Sequence, residues 1–271
     1  MDYKVKYRTV GTDTKTGPSA NVWGDCPIDD LHNDPQVGYE VFDDFLNYSS
    51  TATTVANPSG MPTFEGACTI TGSSVQGGEV LLLCSASNEE GALEQGRGVA
   101  APFMISDAAA TAKKLWFECR IKKSLITNLD NFFVGLAAPG SGVADFINDG
   151  GTDFADTAVF GFVQWEADGD AIDAVYKANG QALTTAKAGI DVPVADTYAK
   201  LGFVYDPDEV TAKRITYYID GVEQSTYVTG TQIAAAVFPD AEALTPLIAV
   251  KGSDAADKTI TMDWWRCVQL R

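Results

Sequence analysis

The last third of the chain is a run of short, evenly spaced segments in which apolar and polar residues alternate. It ends in Thr259-Ile-Thr-Met-Asp-Trp-Trp-Arg-Cys-Val-Gln-Leu-Arg271. Alternation with a period of two over strand-length stretches, broken by turn residues, specifies β-structure, because a helix would need its apolar residues three to four apart. Asp220-Gly221, between Ile215-Thr-Tyr-Tyr-Ile219 and Val222-Glu-Gln-Ser-Thr-Tyr227, is the strongest hairpin signal, since two-residue turns need backbone with positive φ. Asn179-Gly180 and Asp168-Gly169 mark two further turns. The pattern predicts an all-β chain: a two-sheet antiparallel β-sandwich with an extended N-terminal arm.

Strands are expected around 68–70, 79–85, 115–123, 132–137, 158–165, 171–176, 200–205, 214–219, 224–229, 247–250 and 260–270. Helical signals are minor: Ser106-Asp107 ahead of Ala108–Lys114, and the stretch from Thr231 to Val237. In Leu115–Ile121, alternation puts Leu115, Phe117, Cys119 and Ile121 on one face and Trp116, Glu118 and Arg120 on the other. Residues 11–38 are rich in Gly, Pro, Asp, Asn and Thr without a sustained period, which reads as an extended arm or long loop that must lie on something. The division expected is an arm over 1–38 and a sandwich over 39–271, opening at Tyr39-Glu-Val-Phe-Asp-Asp-Phe-Leu46.

Charge narrows the partners. With 19 Lys and Arg against 37 Asp and Glu, the formal net charge is −18, which repels nucleic-acid phosphates and anionic membranes. No apolar run reaches membrane-spanning length and no secretory signal is evident, so a soluble protein folded in a cytoplasm is expected, without nucleic acid or membrane as partner. The first residues depart from the acidic balance: Lys4, Lys6 and Arg8 alternate with Tyr3, Val5 and Tyr7. That strand can lie as a plain outer strand with a basic face, or add to an acidic partner or to another copy of the chain. The five cysteines, Cys26, Cys68, Cys84, Cys119 and Cys267, are odd in number, far apart and without a CxxC pair, so they read as reduced core thiols.

The succession Leu115-Trp-Phe-Glu-Cys-Arg-Ile-Lys, Phe132-Phe-Val-Gly-Leu-Ala, Lys200-Leu-Gly-Phe-Val-Tyr-Asp-Pro and Ile215-Thr-Tyr-Tyr-Ile-Asp-Gly-Val, closed by Ile260-Thr-Met-Asp-Trp-Trp-Arg-Cys-Val, resembles the concanavalin A-like lectin/glucanase jelly roll. The resemblance covers roughly residues 42–271 and speaks to fold more than to function. More narrowly, the acidic body, basic arm and unpaired cysteine set resemble the capsid decoration (cement) proteins of tailed bacteriophages. That likeness implies a non-enzymatic virion component on the capsid surface, made in the host cytoplasm. It would bind the major capsid protein through Tyr3, Lys4, Val5, Lys6, Tyr7 and Arg8 and associate with its own copies, for instance as a trimer. The alternative implied by the broader fold is a carbohydrate-binding lectin module of a tail, fibre or receptor-binding protein, with a glucanase third.

Candidate chemistry is sparse. The single histidine, His32, sits in a polar segment with no G-x-S-x-G nucleophile elbow to pair with it, so it reads as a solvated side chain. Glu166, Asp168 and Asp170 have the i, i+2, i+4 spacing of glucanase carboxylates, but Gly169 makes a turn there and scatters them. Asp145, Asn148, Asp149, Asp153 and Asp156 form an oxygen-rich loop of the kind calcium favours, although Ile147 occupies a ligand position and a solvated loop is the plainer reading. No cofactor is expected beyond that calcium possibility. Trp23, Trp116, Trp165, Trp264 and Trp265 are the candidates for stacking on sugar rings, with core packing as the competing role.

Overall fold

The computed structural model describes residues 16–46, 48, 61–64, 66, 68–73, 78–95, 102–108, 110–124, 130–143, 145–169, 171–253 and 257–271. Tyr3, Lys4, Val5, Lys6, Tyr7 and Arg8, the residues expected to dock a partner, lie outside them.

Two antiparallel sheets pack face to face, as the alternation predicts. The first runs β13 (Val222–Val228), β12 (Ile215–Ile219), β11 (Tyr198–Tyr205), β6 (Leu115–Lys123), β15 (Lys258–Leu270), β4 (Glu79–Cys84) and β3 (Thr69–Ser73). β1 (Gly38–Asp43) pairs with the second half of β15, beyond β4. The second sheet runs β10 (Thr184–Asp191), β9 (Ile172–Lys177), β8 (Val159–Gln164), β7 (Asp130–Ala137), β14 (Thr245–Gly252), β5 (Glu90–Glu94) and β2 (Met61–Phe64). Helix is confined to single turns: α1 (Ala20–Trp23), α2 (Ile28–Asn33) and α3 (Gly230–Ile233), none long or apolar enough to cross a membrane. The Asp220-Gly221 hairpin forms with both residues at positive φ, 50° and 73°, as its turn requires. Ahead of β6, Ser106 Oγ accepts from the Ala108 amide and the Ala108 carbonyl accepts from the Thr111 and Ala112 amides, a single hydrogen-bonded turn where a short helical one is expected. Thr229 and Gln232 form a reciprocal capping box that starts α3.

Between the sheets, Leu115, Phe117, Cys119 and Ile121 of β6 meet Phe160, Phe162 and Val134 of the second sheet, with Phe203, Tyr217 and Trp265 filling the centre. A bulge at Asp263 resets the register of β15, from Met262 opposite Ile121 to Trp264 opposite Arg120. Met262 and Trp265 therefore both point inward, while Trp264 takes the outer face.

The cysteine reading needs one correction. Cys68 and Cys84, at the facing ends of β3 and β4, form a disulfide with Cα atoms 4.1 Å apart. Their adjacency arises from strand pairing across 16 residues and leaves no spacing signature. Cys26, Cys119 and Cys267 are free and buried, as expected for core thiols.

Candidate functional site

Each sheet has an outer face on which a ligand could bind, and on this protein both are covered over their central strands. On the first sheet, residues 16–37 lie across β6, β11 and β15. Val22, Trp23, Cys26, Ile28 and Leu31 pack on Trp116 and Val268. The segment is pinned by polar contacts as well. Glu118 Oε2 accepts from the Ser19 amide (2.9 Å) and the Trp23 indole (2.7 Å), Trp116 donates to Asp25 (2.9 Å), and Trp264 donates to the Thr16 carbonyl (2.6 Å). Arg266 stacks over Trp23 and pairs with Glu40. Burial raises the Glu118 carboxyl above the usual carboxylate range despite those hydrogen bonds. The aperiodic arm thus has the expected support, and the price of one outer face is that Trp23, Trp116 and Trp264 are all buried.

On the second sheet, the loop around 138–157 covers the outer face of β7, β8 and β14. Phe146 and Phe154 contact Phe133 edge-on, with ring centroids 5.4 and 5.1 Å away, and Phe154 also meets Trp165 at 5.1 Å. The facing glycines Gly135 and Gly161 make room: a Cβ at either would come within 3.1 Å of the Phe133 ring tip and about 2.5 Å from the opposite strand's carbonyl. Beneath the loop, Glu94 accepts from the Gly140 and Gly142 amides, both at 2.7 Å.

This is the acidic loop whose composition suggests calcium. Its carboxylates instead meet lysines: the fully buried Lys251 ammonium lies 2.9 Å from Asp145 and 2.8 Å from Asp149, and Lys177 lies 3.0 Å from Asp153. Asn148 accepts from the Thr152 amide and Asp156 from the Gly180 amide. Among the described residues no group of three or more His, Cys, Asp or Glu side chains is arranged to hold a metal ion. Burial works against the Lys251 charge, but its hydrogen bonds to Asp149 and Asp145 hold the ammonium above its ordinary range.

The glucanase-like spacing does not make a strand face. Glu166–Asp168 is a 3-10 turn closed by Gly169 at φ 73°, and Asp170 lies outside the described residues. Glu166 is held by its amide donating to Asn131. His32 is exposed and 3.0 Å from Glu40, with no nucleophile among its contacts. All five tryptophans are buried, so none offers a ring to a sugar in this arrangement.

One end of the sandwich is open. There the segment leading into β6, the turn after β11, the start of β12 and Arg271 enclose a cleft of about 550 Å3, within the range of small-ligand sites. A smaller one of about 240 Å3 adjoins it, sharing Lys114 and Asp206. Tyr205 anchors the floor by donating to the Ser106 carbonyl, and burial pushes its phenol up to about 12. Lys114 bridges Asp206 and Asp25. Burial disfavours that ammonium, but the two hydrogen bonds prevail and raise its pKa; burial likewise opposes ionisation of Asp206, and Lys114 holds its carboxyl below the usual range. Arg214 lines the wall, its backbone fixed by bonds from its amide to Val228 and from Asp206 to its carbonyl. Sequence reasoning missed this site because Lys114, Asp206 and Arg214 converge from separate segments and no local motif joins them.

No protein-family model matches the sequence, and no curated protein matches it. The fold does match solved structures. A protein of unknown function from Shewanella oneidensis MR-1 aligns over 87% of this chain and 87% of its own, with 12% identity and a TM-score of 0.52. Peanut lectin, with a nine-residue peptide, aligns over 86% of this chain and 98% of its own, at 13% identity and a TM-score of 0.53. Bacillus licheniformis β-glucanase aligns over 87% of this chain and 99% of its own at 15% identity and a TM-score of 0.45. At such identities the likeness to peanut lectin shows the fold, a concanavalin A-like jelly-roll sandwich.

Proposed function

We propose that the protein is a non-catalytic carbohydrate-binding module of the lectin type, whose ligand sits in the cleft at the end of the sandwich. The observation that carries this reading is the contrast in the surface: the outer faces of the central strands are covered by the chain's own segments, while a polar cleft of about 550 Å3 stays open at one end of the sandwich. Sugar recognition needs convergent donors and acceptors on a rigid frame, and here they project from paired strands and from a turn held by Asp206. The sandwich shared with peanut lectin supports the reading. The absence of catalysis is inferred from Glu166 and Asp168 standing on a turn, and from Glu94 being engaged by backbone amides.

Binding of the purified protein to an immobilised glycan panel tests this, alongside Asp208→Trp, an exposed position on the cleft wall where an indole would obstruct the mouth. Saturable binding that the variant weakens at least about tenfold is expected, equivalent to about 1.4 kcal/mol. No binding across the panel, or equal binding by both proteins, overturns the site. Release of reducing ends from a bound glycan overturns the non-catalytic part.

A second reading, attachment to a viral capsid, is favoured by the alternating basic strand Tyr3–Arg8 in an otherwise acidic chain. In it the protein would sit on the capsid surface, bind the major capsid protein and contact its own copies. Quantitative mass spectrometry of particles would then give a copy number that is a simple fraction of the major capsid protein's, and deletion of residues 1–15 would abolish attachment. A handful of copies, or attachment without the arm, removes this reading.

A further inference from the structure

We infer that the cleft selects a sugar carrying a single carboxylate, a uronic acid residue, and that Arg214 is the residue that recognises it. This rests on the reading of the cleft as a carbohydrate site and names the class of sugar.

Arg214 lines the cleft, and its Nε and Nη1 are buried with no acceptor among the described residues. Two guanidinium nitrogens withdrawn from water without an acceptor are unfavourable on a side chain that is otherwise half-buried, so the arrangement is complete only when that side chain turns to an acceptor in the cleft. Gly230 gives the side chain its place: a Cβ there would lie 3.5 Å from Arg214 Cγ, 3.6 Å from its Nε and 3.0 Å from Thr211 Cγ2. The neighbouring charges leave the role open to a ligand. Within the cleft, Asp206 is bonded to Lys114 and accepts from the Asp208 amide. Asp107 and Asp208 are exposed.

The cleft carries Lys113, Lys114, Arg214 and Arg271 against Asp107, Asp206 and Asp208, with Asp25 also paired to Lys114, so it is near neutral on a chain of net charge −18. A planar guanidinium fork matches a planar carboxylate in two parallel hydrogen bonds. The surrounding acidic surface disfavours long or multiply charged polymers. Together these favour one carboxylate on a short oligosaccharide over a sulfated chain.

The test is isothermal titration of the intact protein with three probes: an oligosaccharide ending in one uronate, the methyl ester of that uronate, and a sulfated oligosaccharide of equal length. The acid is expected to bind about ten- to a hundredfold more tightly than the ester, the range of a hydrogen-bonded charge pair. Arg214→Met should lose that preference and bind acid and ester alike, and Arg214→Lys should keep only part of it. Because the substitution removes two shielded guanidinium nitrogens that have no acceptor among the described residues, R214M should melt no lower than the native protein. The uronate should raise the melting temperature of the native protein by more than that of R214M.

Equal affinity for acid and ester overturns the inference, as does tighter binding of the sulfated probe. If R214M melts lower and loses ester binding too, Arg214 is structural and the inference fails. Binding of neutral glycans in the cleft with indifference to Arg214 would sink this inference while leaving the carbohydrate reading intact. Failure of every glycan to bind sinks both.

Discussion

Replacing Trp23 tests whether residues 16–37 belong to the folded sandwich. The side chain is fully buried between the first sheet and Arg266, and its indole donates to Glu118 at 2.7 Å. Truncating a buried Trp to Ala costs about 3–5 kcal/mol through lost burial and the cavity left behind. Part of the indole bond to the buried carboxylate adds to this, since hydrogen bonds to charged groups contribute about 1.5–3 kcal/mol. Trp23→Ala should therefore cost about 5 kcal/mol, and at about 2–4 °C per kcal/mol for a chain of this size the melting temperature should fall by about 10–20 °C. Trp23→Phe keeps most of the volume and loses the donor, so its cost should be nearer about 2 kcal/mol. Calorimetry gives the size of the effect, and limited proteolysis reports whether cleavage within 16–37 accelerates. A melting temperature within a few degrees of the native value with unchanged cleavage would refute the reasoning, because the segment would then contribute nothing to the fold.

Other perturbations follow from the same contacts. Glu118 titrates above the usual carboxylate range because it is buried, so the native state holds its proton more tightly than the unfolded state; stability should fall as pH rises from about 4.3 through the folded value, and Glu118→Gln should flatten that part of the curve. Identical pH slopes would contradict this. Lys251→Met leaves the buried Glu90 without its cation while the exposed Asp145 and Asp149 return to water, so it should lower stability as read by urea unfolding; unchanged stability would mean the loop is held by Phe146 and Phe154 alone. The Cys68–Cys84 disulfide closes a loop of 16 residues, so reduction should remove about 3 kcal/mol, and a melting curve indifferent to reductant would speak against the pairing.

The strands that could be read from sequence are those with one apolar face. β6 was delimited to the residue because Leu115, Phe117, Cys119 and Ile121 alternate with polar neighbours. β5 and β10 escaped for opposite reasons. β5, Glu-Gly-Ala-Leu-Glu, buries both its glutamates beneath the covering loop, so burial there does not follow polarity. β10, at the edge of its sheet, is largely exposed and carries no apolar stripe. Alternation correctly placed Trp116 away from the inter-sheet core, but a period of two says which face a residue takes and not what covers that face. The acidic loop shows the same limit: its composition is legible, whereas the lysines that neutralise it arrive from β9 and β14. The cleft was illegible altogether, since it is a product of chain ends and turns meeting in space.

The most direct test of the account is a crystal structure grown with the tightest-binding oligosaccharide from the glycan panel. The account predicts ordered sugar in the cleft between the segment preceding β6 and the turn after β11, with a ligand oxygen within hydrogen-bond distance of Arg214. Sugar ordered elsewhere on the sandwich with the cleft empty would contradict it.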